Sequence, residues 1–107
     1  MPASPTSRTL KLLRDEGWRA AVVEKWIPGV NIRKDLFEFI DILALKGGET
    51  LAVQACAASS MSARQHKIVD DCAEQLSDVR EAGWRVEVIG WRKNSKGRWV
   101  ARRVDLS

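Results

Sequence analysis

The sequence has few of the residues that build thiolate, imidazole or disulfide sites. It contains one histidine, His66, and two cysteines, Cys56 and Cys72. A zinc site needs about four nitrogen or sulfur ligands, and the cysteines lack CxxC spacing, so the composition argues against zinc. Both cysteines lie in apolar stretches, which predicts free, buried thiols in a reducing compartment.

Long apolar runs are also missing. No apolar segment approaches the roughly 20 residues that a membrane helix needs. Residues 1–5 contain proline and serine and lack the basic start and apolar stretch of a signal peptide. We therefore expect a soluble, cytoplasmic protein without membrane contact. Residues 1–5 are predicted to be a disordered tail, and residues 6–107 a single domain.

Acidic residues are absent from one stretch near the C-terminus. Six basic residues and no acid lie between Arg92 and Arg103, although the whole chain carries a net charge of only +4. A basic end on a nearly neutral body favours an acidic partner, most often nucleic acid. The alternative is a solvated hairpin rich in arginine and lysine. The predicted phosphate contacts in this segment are Arg92, Lys93, Lys96 and Arg98.

Periodicity and turn signals predict an α/β fold with the order α-β-β-β-α-β-β. The predicted elements are a helix over 6–16, strands over 18–27, 35–45 and 50–57, a helix over 59–82, and strands over 85–91 and 98–104. Thr6 or Ser7 is expected to cap the first helix, a serine at 59–62 the second, and a bend is expected near Glu38. The second helix forms a crossover, so the strands on either side of it should be parallel neighbours in a central mixed sheet.

The most informative segment runs from Ile40 to Cys56, where two apolar strands are joined by a Gly-Gly turn. Asp41 lies in the first strand, and Gln54 lies thirteen residues later in the second. A carboxylate in an apolar strand is costly unless something binds it. Asp41 therefore either ligates a metal or is held by backbone donors or an arginine.

This hairpin resembles the signature of the PD-(D/E)XK nucleases, in which an Asp and a Glu on adjacent strands hold a metal and a Lys follows two residues later. Here Gln54 takes the place of the Glu, and Cys56 takes the place of the Lys. The segment from Leu10 to Trp18, Leu-Lys-Leu-Leu-Arg-Asp-Glu-Gly-Trp, is similar to the opening helix of the small Holliday-junction resolvases. Those enzymes also carry a Glu on that helix, which would match a position near Thr6.

The resemblance implies a restriction-endonuclease-like sandwich, a homodimer, and cleavage of DNA, including branched DNA, with Mg²⁺ or Mn²⁺ and no organic cofactor. Because two signature residues are altered, other side chains would have to replace them. Glu24 can supply a second carboxylate if its strand pairs antiparallel with that of Asp41. Asp35 is the other acid, although it would lie about 20 Å from Asp41 along a straight strand.

The missing cation has three candidates, which are Lys25, Arg64 and Lys67. Arg64 and Lys67 lie one turn apart near the start of the main helix, whose N-terminus favours phosphate. The alternative is that these residues form an ordinary solvated surface. Outside the C-terminal hairpin, the predicted nucleic-acid contacts are Arg33, Lys34, Arg64 and Lys67.

Two functions from different classes follow. The first is a small metal-dependent DNA nuclease with Asp41, Gln54 and Glu24 as metal ligands and Lys25 as an additional catalytic residue. The alternative is a catalytically inactive nuclease fold that serves as a DNA-binding or protein-interaction module. A second carboxylate within about 5 Å of Asp41 favours the enzyme, and its absence favours the binding module.

Overall fold

The computed structural model describes residues 3–30 and 32–107, without the side chain of Arg33. The predicted nucleic-acid contact of Arg33 and the predicted disorder of Met1 and Pro2 therefore lie outside the described part. The helices are α1 (Pro5–Asp15), α2 (Met61–His66) and α3 (Ala73–Glu81). The strands are β1 (Arg19–Val22), β2 (Lys25–Ile27), β3 (Ile32–Lys34), β4 (Ile42–Lys46), β5 (Glu49–Ala57), β6 (Arg85–Lys93) and β7 (Trp99–Asp105).

Five of these strands form a mixed sheet in the order β1-β4-β5-β6-β7. β5 and β6 are parallel, as the helical crossover predicts, and every other pair in this sheet is antiparallel. β2 and β3 form a separate two-stranded sheet, which we call the ribbon. The α/β class and the central mixed sheet are confirmed. None of the helices in the described residues has the length and apolar character needed to cross a membrane.

The helices cover opposite faces of the sheet. On β5, Leu51 and Val53 point into a core shared with Leu13 of α1, while Ala52 and Cys56 point into a core shared with Ile68 of the main helical segment. This alternation is the period of two that a strand imposes on its side chains. Because both faces are covered, residues 51–56 of β5 are all buried, as its continuous apolar sequence predicts.

The hairpin between β4 and β5 forms at the predicted position. Lys46 pairs with Glu49, so Gly47 and Gly48 alone make the turn, and their φ angles are +57° and +83°. Two consecutive positive φ angles define the tight turn whose twist matches a β-hairpin, and glycine adopts them without steric cost. This turn fixes the register that places Ile42 opposite Val53.

The strand predicted over 35–45 forms only from Ile42 onward, and the bend expected near Glu38 is confirmed as a tight turn. Leu36 and Ile40 form an isolated bridge around a tight turn, in which Phe37 and Glu38 have φ angles of +50° and +72°, and β4 begins only at Ile42. The physical reason is that the adjacent residues Phe39 and Ile40 are both buried in one core cluster. A regular strand points consecutive side chains to opposite faces, so the chain has to turn to bury both together.

The predicted strand over 18–27 is also divided. β1 ends at Val22, opposite Ile42, where its partner strand β4 begins. β2 then starts at Lys25 and pairs with β3, so the predicted polar connection over 31–34 contains a strand. The chain leaves the main sheet here because no further partner strand is available beside β1.

Helix ends differ from the predictions in detail. α1 begins at Pro5, and Ser4, rather than Thr6 or Ser7, is its N-cap, with a reciprocal capping box to Ser7. The serines at 59–62 make no side-chain capping bond in the described structure. A 3₁₀ turn over Ala58–Ser60 precedes α2, and a π-helical turn over Lys67–Asp71 separates α2 from α3 within the predicted long helix.

Candidate functional site

The strand ends at one end of the main sheet lie close together. β1 ends and β4 begins there, and the C-terminal half of β5 runs towards the same end. This end of the sheet opens into a cleft of about 770 Å³. The polar and charged residues that line the cleft include Ser4, Thr6, Ser7, Glu24, Asp35, Asp41, Gln54, Ser60, Arg64 and Lys67. Asp41, Gln54 and Glu24, predicted as one site, therefore do lie together.

Asp41 is the most buried acid in the cleft. It directly precedes β4, and only 5% of its surface is exposed. Its Oδ2 atom accepts a hydrogen bond from the Gln54 side-chain Nε2 at 2.7 Å and another from the Ala55 backbone N–H at 2.9 Å. Two donors on one oxygen fix the position of the carboxylate, which is what a preorganised ligand requires.

One buried polar atom of Gln54 has no hydrogen-bond partner in the part of the chain that the structure describes. The side chain is 3% exposed, and its amide nitrogen faces Asp41. Its other end, Oε1, accepts no hydrogen bond from any group in the described residues. A buried acceptor without a donor costs about 1–3 kcal/mol, so native proteins rarely keep one unless water or an ion satisfies it. An amide oxygen is a ligand that Mg²⁺ and Ca²⁺ accept.

Three carboxylates converge beside this amide. Glu24, Asp35 and Asp41 each offer an oxygen, and these atoms all lie within 4.8 Å of one another. The expected 20 Å separation of Asp35 from Asp41 is wrong, because the turn between Leu36 and Ile40 folds the chain back. The three acids can hold a metal ion, and the unsatisfied Gln54 oxygen fits the same purpose.

Burial and the neighbouring acids change the pKa of Asp41. Burial is the largest cause, and it raises the pKa of Asp41 to about 7, with further contributions from a hydrogen bond to Asp35 and from the charges of Asp35 and Glu24. The bond from the Ala55 N–H opposes this rise. A nearby divalent cation would favour the ionised form and return the pKa towards its ordinary value. Proton and cation therefore compete for this carboxylate.

Positive charge reaches the cleft from the main helix. Arg64 and Lys67 both line it, and both are half-buried. Cys56, at the position of the family lysine, is a free, buried thiol. Burial raises the pKa of this thiol, and the charge of Arg64 acts in the opposite direction. Arg64 and Cys56 line the same cleft, so Arg64 can supply some of the positive charge that a lysine at Cys56 would bring.

Other predicted residues lie outside the cleft lining. Lys25 is exposed on β2 and Lys34 is exposed on β3, where they pair across the ribbon. Lys25 is not among the described residues that line the cleft, and its catalytic role stays a prediction. The four basic residues at the tip of the β6–β7 hairpin, Arg92, Lys93, Lys96 and Arg98, are exposed to solvent. Their contact with nucleic acid stays a prediction.

Asp35 is the site residue to which the sequence interpretation gave too little weight. The signal that could have promoted it is the pair Phe39–Ile40, because two adjacent large apolar residues do not fit one buried face of a strand. A turn at this place brings Asp35 to Asp41 without any change in the predicted order of elements.

A comparison of the chain with protein-family models, with curated proteins and with solved structures gives no match. Membership of the PD-(D/E)XK superfamily therefore stays a prediction that rests on the residues of the chain itself.

Proposed function

We propose that the protein is a small metal-dependent DNA nuclease that hydrolyses phosphodiester bonds in the cleft. The observation that carries the proposal is the meeting of three carboxylates and the unsatisfied Gln54 oxygen with two basic side chains in one cleft. Carboxylate oxygens of Glu24 and Asp35 lie within 4.8 Å of one of Asp41. A second carboxylate within about 5 Å of Asp41 favours the enzyme over the inactive binding module. A restriction-endonuclease-like topology and a homodimer belong to the same proposal.

Each group in the cleft has a chemical role in this proposal. Glu24, Asp35, Asp41 and the Gln54 Oε1 atom would hold Mg²⁺ or Mn²⁺, which are hard cations that prefer oxygen ligands. A bound cation of this kind lowers the pKa of a water molecule and neutralises phosphate charge. Asp35 contributes the charge that the family's Glu would bring and that the neutral Gln54 does not.

Arg64 and Lys67 would bind and orient the phosphate group. Both side chains project from the start of the main helix into the cleft that contains the acids. Positive side chains that face a scissile phosphate stabilise the charge that develops on its oxygens. Arg64 lies near Cys56 and would take over part of the role of the family's lysine.

The alternative is the catalytically inactive module, and the altered signature at Gln54 and Cys56 favours it. The two functions differ in what the acids do, because a binding module has no need for a cation site. The substitution Gln54→Glu combined with Cys56→Lys restores the family's residues and would restore cleavage if the site has decayed. Folding of this double variant must be checked by circular dichroism, since a lysine at the buried position of Cys56 lowers the free energy of unfolding by roughly several kcal/mol.

Metal binding and cleavage together test the proposal. Isothermal titration with Mn²⁺ at pH 8 should show binding to the wild type and none to Asp41→Ala, with Glu38→Gln as a control that removes an exposed acid of the neighbouring turn. Labelled duplex and four-way DNA should be cut in Mg²⁺, and Asp35→Asn and Asp41→Asn should lower the rate by about a hundredfold or more. A folded wild type and a folded double variant that bind no metal and cut no DNA would overturn the nuclease.

A further inference from the structure

The ribbon carries two lysines in a costly arrangement. In the register of β2 and β3, Lys25 lies directly opposite Lys34, so the two side chains share one face. Both side chains are exposed, and neither forms an ion pair with another described residue. Like charges directly opposite each other destabilise a strand pair, and a bound anion removes that penalty.

The opposite face of the ribbon presents an aromatic ring. Trp26 lies between Lys25 and Ile27, so its side chain points away from the lysine face, and 52% of its surface is exposed. An exposed tryptophan on a short two-stranded sheet contributes little to its own fold. An indole ring can instead stack on any unpaired base, because every base has a flat π-face.

The two ends of the ribbon are parts of the candidate metal site. Glu24 directly precedes β2 and Asp35 directly follows β3, and both acids belong to the cluster around Asp41. A ligand that contacts the ribbon is therefore adjacent to the cleft. A ribbon with cations on one face and an exposed ring on the other can contact nucleic acid on both faces when it enters a groove or the gap between two strands.

We propose that the ribbon is a nucleic-acid-binding arm that selects DNA with unpaired bases. Lys25 and Lys34 bind phosphate groups, and Trp26 stacks on a base that has left its duplex. This proposal rests on the proposed function in one respect, since the DNA strand that the ribbon binds is the one that would enter the cleft. It adds the class of substrate and the residues that select it.

Binding without cleavage tests the arm by itself. Full-length protein in EDTA is titrated into a fluorescein-labelled oligothymidylate and into a blunt hairpin duplex, and the dissociation constant is measured by anisotropy at several salt concentrations. Trp26→Ala should weaken binding of the single strand roughly ten- to a hundredfold and binding of the duplex less than threefold. Trp26→Phe, which keeps a ring, should stay within a few fold of the wild type.

Two further variants complete the design. Val30→Ser is the matched control, because Val30 is an apolar residue of the connection between β2 and β3 with 60% of its surface exposed, and the variant should bind both DNAs like the wild type. Lys25→Ser combined with Lys34→Ser should flatten the slope of log affinity against log salt by about 1.4 on the single strand. Circular dichroism checks that each variant is folded.

The results separate the arm from the nuclease. Equal single-strand affinities for Trp26→Ala and Val30→Ser, or an unchanged salt slope for the lysine variant, would overturn the arm while leaving cleavage in Mg²⁺ untouched. A dimer in sedimentation that Trp26→Ala dissociates without changing DNA affinity would also overturn it and would make the ribbon an interface between two copies. Ribbon-dependent binding in a protein that cuts nothing in Mg²⁺ would support the arm and count against the nuclease.

Discussion

Two acids are buried in the same sheet, and their surroundings differ. Glu87, on the face covered by α1, is 4% exposed, and its Oε1 atom accepts a 2.7 Å hydrogen bond from Nε of Arg103. Nη2 of the same arginine lies 3.2 Å from the other oxygen of Glu87, and Nη1 of Arg103 continues to Glu16. Asp41, on the opposite side, is equally buried but has an amide, a backbone N–H and two further acids as neighbours.

The difference separates a structural charge from a site. At Glu87, the cost of burying a carboxylate is offset by a guanidinium within the fold, and no external group is needed. The same bonds raise the pKa of Arg103 above its ordinary value, with the hydrogen bond to Glu87 as the largest cause. At Asp41 the neighbouring acids add to the cost of ionisation, and a cation bound by the cluster would offset that cost.

The largest expected effect is the pH dependence that Asp41 imposes. Its pKa is about 7 in the folded protein and 3.8 in the ordinary, unfolded case. Between these values the folded state keeps a proton that the unfolded chain has released, so stability falls as pH rises. The free energy of unfolding is measured in EDTA by urea titration, for the wild type and for Asp41→Asn. Between pH 4 and pH 8 it should fall more in the wild type than in Asp41→Asn, by an amount on the order of 4 kcal/mol.

Titrating groups far from Asp41 cancel in that comparison of the wild type with Asp41→Asn, whereas Asp35 and Glu24 interact with Asp41 and belong to the measured difference. Asp105, whose pKa is lowered by hydrogen bonds to Ser107, contributes the opposite trend in both proteins. Parallel stability curves for the two proteins would show that Asp41 titrates normally and is not held in a repulsive cluster.

A somewhat smaller effect on stability is expected from breaking the ion pair between Glu87 and Arg103. Arg103→Met removes both hydrogen bonds that Glu87 accepts and leaves only Arg85, whose Nη2 lies 3.5 Å from Glu87 Oε2, so the loss should be about 3 kcal/mol at neutral pH. Arg102→Met is the matched control, because Arg102 is the exposed neighbour on the same strand, and it should change stability by less than about 0.5 kcal/mol. Urea unfolding at pH 7 measures both. Equal stabilities for the two variants would remove the distinction between Glu87 and an exposed acid.

The smallest of these effects is the gain from a cation, and it should depend on pH. At a Mn²⁺ concentration of a hundred times its dissociation constant, the protein should gain about 2.7 kcal/mol at pH 8. The gain should vanish at pH 4, where Asp41 is protonated, and in Asp41→Asn at either pH. Thermal unfolding with and without the cation measures it, and Arg102→Met should keep the full gain. An equal gain at both pH values would place the cation elsewhere.

Local signals in the sequence predict much of the framework. The Gly47-Gly48 turn and the continuous apolar run of β5 are set by neighbours along the chain, and both form where expected. The helical spacing after β5 predicts the helical region, although a π-helical turn divides it. The parallel pairing of β5 and β6 follows from connectivity, since a helix between two adjacent strands makes a crossover. Asp41 and Gln54 follow from the same hairpin, because its register brings them together.

The rest of the site was decided by tertiary structure. The burial of Phe39 and Ile40 in one core turns the chain at residues 36–40, and the lack of a partner strand beyond Ile42 diverts β2 into the ribbon. A local pattern can mark the bend near Glu38, but it does not show where the chain runs after the bend, because that depends on which surface the rest of the fold leaves to be covered. The sequence by itself determined the sheet, the hairpin and the buried acid of Asp41. Packing alone decided that Asp35 would join that acid, because only a folded core can bring together carboxylates that an extended strand would hold apart.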